Sequence, residues 1–302
     1  MNLKELEYYR MVCKHKSITK AAHALYMTPQ GLSKIIKNME NELGATLLNR
    51  TAAGISLTAS GEYLYRHLPE VLEPYQQICS EIRCIEQQEH HEIDLLSAYG
   101  ILRLVTPECL ADFRQKYPEI TLTYREFPDR QVERLFREGE GNVAFIVGNS
   151  SLRHLDATFM EKFEIKLLVN RQHPLAQKEE ASIRDLEGEK LYIESSEFHI
   201  HQLIMEKCRQ AGFEPQIAFE TSGFSLCHKM VQQNKGVSVT VDFIFEDMSQ
   251  SDLVMLPFED GPYYWETYML TRNGSTPNPD IRLFHNHVMK WLKDIVEKNI
   301  VR

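Results

Sequence analysis

Along the first sixty residues, apolar positions recur at spacings of three and four, and the breaks between these runs predict three short helices. Leu3, Leu6, Tyr9 and Cys13 set a first helix that ends before Ser17. Ser17 is placed to cap a second over 18–25, whose Ala21, Ala22 and Ala24 let a neighbouring helix approach closely. After a break at Tyr26-Met27, Thr28 is the cap of a third helix. Pro29 takes its first position, where a missing N–H costs nothing. Leu32, Ile36, Met39 and Leu43 form the apolar face of this helix, and Gly44 stops it. Gln30, Ser33, Lys34 and Lys37 fall on the opposite face. These residue types contact a duplex, lysine at phosphates or guanine, glutamine at adenine edges, serine at either. An ordinary amphipathic helix with a solvated face has the same pattern, so the context decides. Two extended stretches, 45–50 and 55–58, flank the Gly-containing turn 51–54 and predict a β-hairpin, the wing that commonly lies beside a groove-inserted helix.

From Leu64 the apolar residues run Leu64, Leu68, Val71, Tyr75, Ile78, Ile82 and Ile85, alternating gaps of four and three across a linker helix of 61–90. A sustained repeat of this period needs a partner helix to bury it, which predicts a homodimer through the linker. A helix lying on its own domain is the alternative. Pro69 and Pro74 each remove a backbone hydrogen bond and predict a kink over 67–74.

Beyond His91 strands alternate with helices. Strands are predicted at 93–98, 120–125, 143–147, 164–169, 190–193, 216–219, 237–241 and 266–270, and helices at 104–117, 131–138, 199–211, 224–234 and 281–297. The order is α/β. In open α/β sheets ligands sit beyond the carboxyl ends of strands, where helix N-termini offer free N–H groups. The loop of Ser97, Tyr99 and Gly100 and the loop running from Ser195 to His199 meet that description.

Length and composition fit more than one core: 302 residues, 43% apolar, imply two or three globular units. The net charge of −9 is unevenly shared. Residues 1–60 hold eight basic and four acidic side chains, so this segment is +4 and the rest of the chain is −13. A basic head on an acidic body suits a polyanion-binding module, although an uneven solvated surface gives the same split. No apolar run approaches the roughly 18 residues of a membrane span, which predicts a cytoplasmic protein without a membrane partner. Cys13, Cys79, Cys84, Cys109, Cys208 and Cys227 contain no C-x-x-C pair and read as reduced thiols rather than a zinc site. The close histidine pairs His90 and His91, His199 and His201, and His285 and His287 lack metal-ligand spacing and read as exposed or weak caps. No G-x-S-x-G, P-loop, G-x-G-x-x-G or H-E-x-x-H motif is present, so neither an enzyme nor a cofactor or metal is expected.

Several segments together resemble a known family. Ser17 to Ala22, Leu32-Ser33-Lys34, Glu42-Leu43-Gly44, Leu47 to Arg50 and Leu57 to Gly61 are similar to the N-terminal signature of LysR-type transcriptional regulators. His173 to Ala176, Asp185 to Gly188, Ala211 to Pro215 and Gly236 to Val239 resemble the family's effector-binding domain. The resemblance implies a multidomain chain: an all-α winged helix-turn-helix (1–60), a linker and dimerisation helix (61–90), and an α/β effector domain (91–302). That domain would be periplasmic-binding-protein-like, with subdomains of 91–162 plus 268–302 and of 163–267. It further implies that 18–37 is the helix-turn-helix and that Ile18, Thr28, Pro29, Gln30, Ser33, Lys34, Lys37 and Arg50 face double-stranded DNA carrying an inverted repeat. Dimers would pair again into homotetramers, and a small-molecule effector would sit in a cleft lined by Ser97, Tyr99, Phe127, Ser196, Phe198 and Thr221, with Thr240 near the hinge. The family usually places glutamine and then proline or serine after the cap. Here Pro29 precedes Gln30, moving the glutamine about 100° round the helix. Family effectors are often small carboxylates, whereas Glu194 and Glu197 place negative charge at this mouth. Cys208 and Cys227 could form a redox switch, as in peroxide-sensing members. The functional reading is an effector-responsive transcription regulator. An α/β solute-binding or enzymatic protein with an N-terminal oligomerisation module is the alternative, and a nucleoid-like DNA packer fits poorly with a −13 body.

Overall fold

Side-chain caps set where the N-terminal helices begin. In the computed structural model, which describes residues 1–51, 54–89, 91–148, 155–248, 252–272 and 278–297, Asn2 and Glu5 form a reciprocal capping box at the start of α1 (Leu3–His15). Ser17 accepts the Lys20 N–H at the start of α2 (Ile18–Ala24). Thr28 Oγ1 accepts the Gly31 N–H at 3.2 Å to open α3 (Pro29–Leu43), with Pro29 in its first turn. Gly44, at φ 62°, closes α3 in the left-handed conformation that favours glycine. A hairpin of β1 (Leu48–Thr51) and β2 (Gly54–Leu57) follows, paired from Leu48 with Leu57 to Thr51 with Gly54. Leu32, Ile36 and Met39 are buried with Tyr9, Val12, Ala21, Ala22 and Leu47 in one core. Leu43, expected on the same face, is the last residue of α3 and is 42% exposed.

The long helix α4 (Ala59–Glu89) is continuous, with Pro69 and Pro74 inside it. Neither proline ends it. The chain divides into units of Met1–Cys79 and Ser80–Arg302, so α4 belongs to both. Its apolar seam proves to be two surfaces. Leu68 is buried, Leu64 packs against it in part, and Leu72, outside the repeat, is buried as well; all three face the N-terminal core. Val71, Tyr75, Ile78 and Ile82 are between 48% and 58% exposed. The reading of one uniform seam is therefore corrected: its first turns lie on their own domain, and its later positions stay about half exposed. The side chain of Ile85 lies outside the described residues.

In the second unit the strands form a seven-stranded mixed sheet. β3 (Glu92–Ala98) lies parallel to both β4 (Thr121–Phe127) and β5 (Val143–Val147). β6 (Leu155–Asn170) pairs antiparallel with β11 (Tyr263–Arg272) from Leu155–Arg272 to Ile165–Tyr263, with a register shift at Thr267/Tyr268. β11 continues the sheet onto β5. The far end of β6 pairs with β9 (Ser238–Thr240) and β10 (Leu253–Leu256). A separate parallel pair, β7 (Lys190–Glu194) and β8 (Gln216–Thr221), completes this second lobe.

Helices α5 (Ile101–Val105), α6 (Pro107–Lys116), α7 (Asp129–Arg137) and α11 (Pro279–Glu297) accompany the first lobe. There Phe284 meets Phe113 edge-on at 5.0 Å and stacks on Phe145 at 6.2 Å. Helices α8 (His199–Gln210), α9 (Phe224–Gln232) and α10 (Asp242–Asp247) accompany the second. Two expectations change. The helix expected over 104–117 is two helices, broken at Thr106 (φ 69°), because Pro107 disfavours a helical backbone at the residue before it. The strands expected over 164–169 and 266–270 are parts of one much longer ribbon.

Gly61, in the first turn of α4, admits no side chain: a Cβ there would stand 2.1 Å from the Leu47 carbonyl oxygen and 2.8 Å from the Tyr9 hydroxyl, whose proton the Gly61 carbonyl accepts. Gly61→Ala is expected to destabilise the N-terminal unit by more than about 2 kcal/mol, measured by denaturant unfolding, with the second unit's transition unmoved.

Candidate functional site

The exposed face of α3 is polar by sequence and open in the structure. Ile18, Pro29, Gln30, Ser33, Lys34 and Lys37 line one shallow depression of ≈ 490 Å³. Six of the eight residues expected to face DNA are thus brought together by two helices packed through Ala21, Ala22 and Leu32. Thr28 is exposed and serves as the cap, which directs the α3 N-terminus, with its free N–H groups, at the same surface. Lys34 and Lys37 are exposed, and no ion pair involving either occurs among the described residues. Arg50 stands on β1 opposite Ile55, with its side chain outside the described residues. Tyr26, in the turn before α3, is 98% exposed at φ 53°; the break at this position gave it away as a turn residue but not as a protruding ring.

The residues expected to line an effector cleft divide. Tyr99 stacks on Phe198 at 6.3 Å, and its N–H donates to the Phe127 carbonyl at 3.0 Å, so these three share one place between the lobes. Ser196 is exposed and Thr221 half-buried at the adjoining corner, where the Ser195 N–H donates to the Thr221 carbonyl. Ser97 is fully buried and donates to the Ala98 carbonyl at 3.0 Å. Thr240 is fully buried too, with its Oγ1 3.0 Å from His228 Nε2. Neither hydroxyl is exposed in this conformation.

The same region holds charged groups that the sequence pattern did not single out. Asp129, first residue of α7 and 2% exposed, accepts the His199 N–H at 2.8 Å and so caps α8 from the opposite lobe. His199 Nε2 lies 2.8 Å from Glu133 Oε1, and Arg130 donates to the Glu197 carbonyl and to Gln202 Oε1. Glu194, at the end of β7, is fully buried, and among the described residues neither of its carboxylate oxygens has a hydrogen-bond partner; nor has His228 Nδ1. Burial pushes Asp129 up to about 7. Burial, with the charge of Asp129 added, pushes Glu194 up to about 8. Burial holds His228 down to about 4.

The histidine pairs were expected to be exposed or weak caps, and this needs correction. His199 bridges the lobes, His201 is buried with Nδ1 2.7 Å from the Glu194 carbonyl, and His287 Nε2 lies 3.1 Å from the Cys109 carbonyl. His91 is exposed and bonded to Asp280; His90 lies outside the described residues. Cys208 and Cys227 are buried free thiols, and burial raises both, the opposite of what a reactive redox pair needs. No cluster of three or more potential metal ligands occurs among the described residues. No described helix is long and apolar enough to cross a membrane.

Residues 3–62 match the model of the bacterial regulatory helix-turn-helix protein, lysR family, and residues 86–293 match that of the LysR substrate binding domain. The chain belongs to the LysR family of transcriptional regulators. The regulator is 30% identical to the HTH-type transcriptional regulator AlsR of Bacillus subtilis, over 79% of this chain and 80% of that one. It is 28% identical to the uncharacterized HTH-type regulator YwbI of the same organism, over 97% of this chain and 98% of that one. Full-length BenM has the same fold (TM-score 0.57, 21% identity, 100% of this chain and 99% of that one). So does full-length CbnR, solved in complex with its target DNA (TM-score 0.52, 18% identity, 97% and 100%).

The buried acids of the regulator set a pH dependence. Glu194 has an ordinary value of 4.5 when unfolded and is raised on folding, so the native state binds the extra proton. The stability tied to that proton is intact below the unfolded value and is lost as pH rises toward the folded one. Asp129 acts in the same direction. The second unit's thermal midpoint is expected to fall between about pH 5 and pH 8, and Glu194→Gln is expected to flatten that fall. A wild-type midpoint that rises over this range would contradict the burial assigned here.

Proposed function

We propose that this LysR-family chain regulates transcription in response to a small molecule, reading an inverted-repeat site on double-stranded DNA with paired copies of α3. One observation carries the reading: Ile18, Pro29, Gln30, Ser33, Lys34 and Lys37 converge on one open surface at the exposed face of α3. Thr28 holds the start of the helix, Lys34 and Lys37 meet phosphates, Gln30 and Ser33 reach base edges, and Arg50 on the wing meets the adjoining backbone. A cap that presents free N–H groups beside two lysines suits a phosphate. That CbnR has been solved on its target DNA supports the same use of the fold here.

One short helix touches few base pairs, and two copies a helical turn apart bind far more tightly. The exposed Val71, Tyr75, Ile78 and Ile82 on α4 supply the surface for a homodimer, and dimers pair into tetramers as the resemblance implies. In this layout 1–60 reads DNA, 61–90 dimerises and 91–302 receives the effector between lobes that exchange near 163 and 267. Ligand closure of the lobes then changes the geometry of the bound oligomer.

A gel-shift titration against the promoter beside the regulator's own gene tests the reading. Lys34→Ala with Lys37→Ala is expected to weaken binding about tenfold and lower the salt slope by about two, while the oligomer persists. Binding that is indifferent to both the lysines and the salt would refute it. Ile78→Asp with Ile82→Asp is expected to yield a folded monomer by sedimentation; an unchanged oligomer would place the interface elsewhere.

A further inference from the structure

A carboxylate effector needs hydrogen-bond donors at the cleft, and at the N-terminus of α8 the first of them, the His199 N–H, is already taken. Asp129 reaches across from the other lobe and accepts the His199 N–H at 2.8 Å, so the protein's own carboxylate already stands at that helix end. The neighbouring cations are committed as well. His199 lies against Glu133, Arg130 donates to Gln202, and Arg103 pairs with Asp247. His201 is engaged with the Glu194 carbonyl, and His228 is held neutral.

Glu194 is the reverse case. It ends β7 beside the Ser195–Thr221 corner, it is fully buried, and neither carboxylate oxygen meets a donor among the described residues. A buried polar group that lacks a donor is costly. The groups that bear on it electrostatically include Asp129 and the thiol of Cys227, neither of which supplies a countercharge. An incoming anion would meet two acids. An incoming ammonium would bring both the N–H donors and the charge that this carboxylate lacks.

We propose that the effector of this cleft is a small organic cation whose ammonium or similar N–H-rich head is received by the buried, unpartnered carboxylate of Glu194. This rests on the reading of the second unit as an effector domain. Tyr99 and Phe198, stacked beside the same loop, offer aromatic surface to the remainder of the molecule. The cation is organic because the described residues include no cluster that could hold a metal ion.

The test is a thermal-shift titration of the full chain with isosteric probes of opposite charge, benzylamine and butylamine against benzoate and butyrate, at up to about 10 mM. An upward shift with the amines is expected, absent in Glu194→Gln and retained in Glu197→Gln, the exposed acid of the same loop. Glu194→Met, which removes both acceptors at similar size, serves if the glutamine variant folds poorly, and it too should lose the shift. A shift with the carboxylates and none with the amines overturns the cationic assignment and leaves the effector reading standing. The same holds for an amine shift that survives at Glu194→Gln. Silence from all four probes overturns both.

Discussion

The paired run of β6 and β11 is the constraint on which the second unit depends. Over ten register positions these strands lie side by side, with one irregularity at Thr267/Tyr268. At one end they continue through β5 into the parallel strands β3 and β4, and at the other β6 carries β9 and β10. Each lobe is therefore hung on the same two strands. The loops that follow β3, β4 and β7 open toward the space between the lobes, which is why Tyr99, Phe127 and Phe198 meet although they are far apart in sequence. A ribbon of two strands can bend at an irregular register without losing its ladder, so the fold allows the lobes to close or part as units.

What the sequence made legible was local chemistry. Thr28 before Pro29, Ser17 before Ile18 and Gly44 after Leu43 each fix a helix end through a contact a few residues away, and all three hold in the structure. The buried strand Val143–Val147 is an apolar run bounded by turn residues and emerges with those bounds. What escaped was decided by partners distant in sequence. The heptad along α4 is uniform on paper, yet Leu64 and Leu68 join the core of Tyr9 and Leu47 in their own domain, and no periodicity reports that. Asp129 and His199 are seventy residues apart, and their contact exists only because the ribbon brings α7 against α8. Pro128-Asp129 could have been read as a helix start. Nothing local reveals that this carboxylate caps another helix.

The two units solve opposite electrostatic problems. In the N-terminal unit, basic side chains stay on the surface, Lys34 and Lys37 among them, where water pays for their charge until a polyanion replaces it. In the effector unit, acids are drawn inside, and the cost of burial is visible in the raised values of Asp129 and Glu194. The first arrangement yields binding that salt weakens. In the proposed function the second yields a site whose energy depends on whether it is open or filled.

That dependence gives the cleft its regulatory sense. A ligand shifts a two-state equilibrium only by its difference in affinity for the two states. With the lobes together, Glu194 is shut away from water and Asp129 is spent on α8. On the proposed reading, parting the lobes rehydrates the carboxylate, and the closed state carries a penalty that the open one does not. A group that satisfies Glu194 cancels this penalty in the closed state alone. On that reading the differential affinity is built into the protein before any ligand arrives, as a buried acid without a partner among the described residues, and the ligand that exploits it is the one that supplies what the acid lacks. Asp129 has the complementary role: by accepting the His199 N–H it couples α7 to α8, one from each lobe.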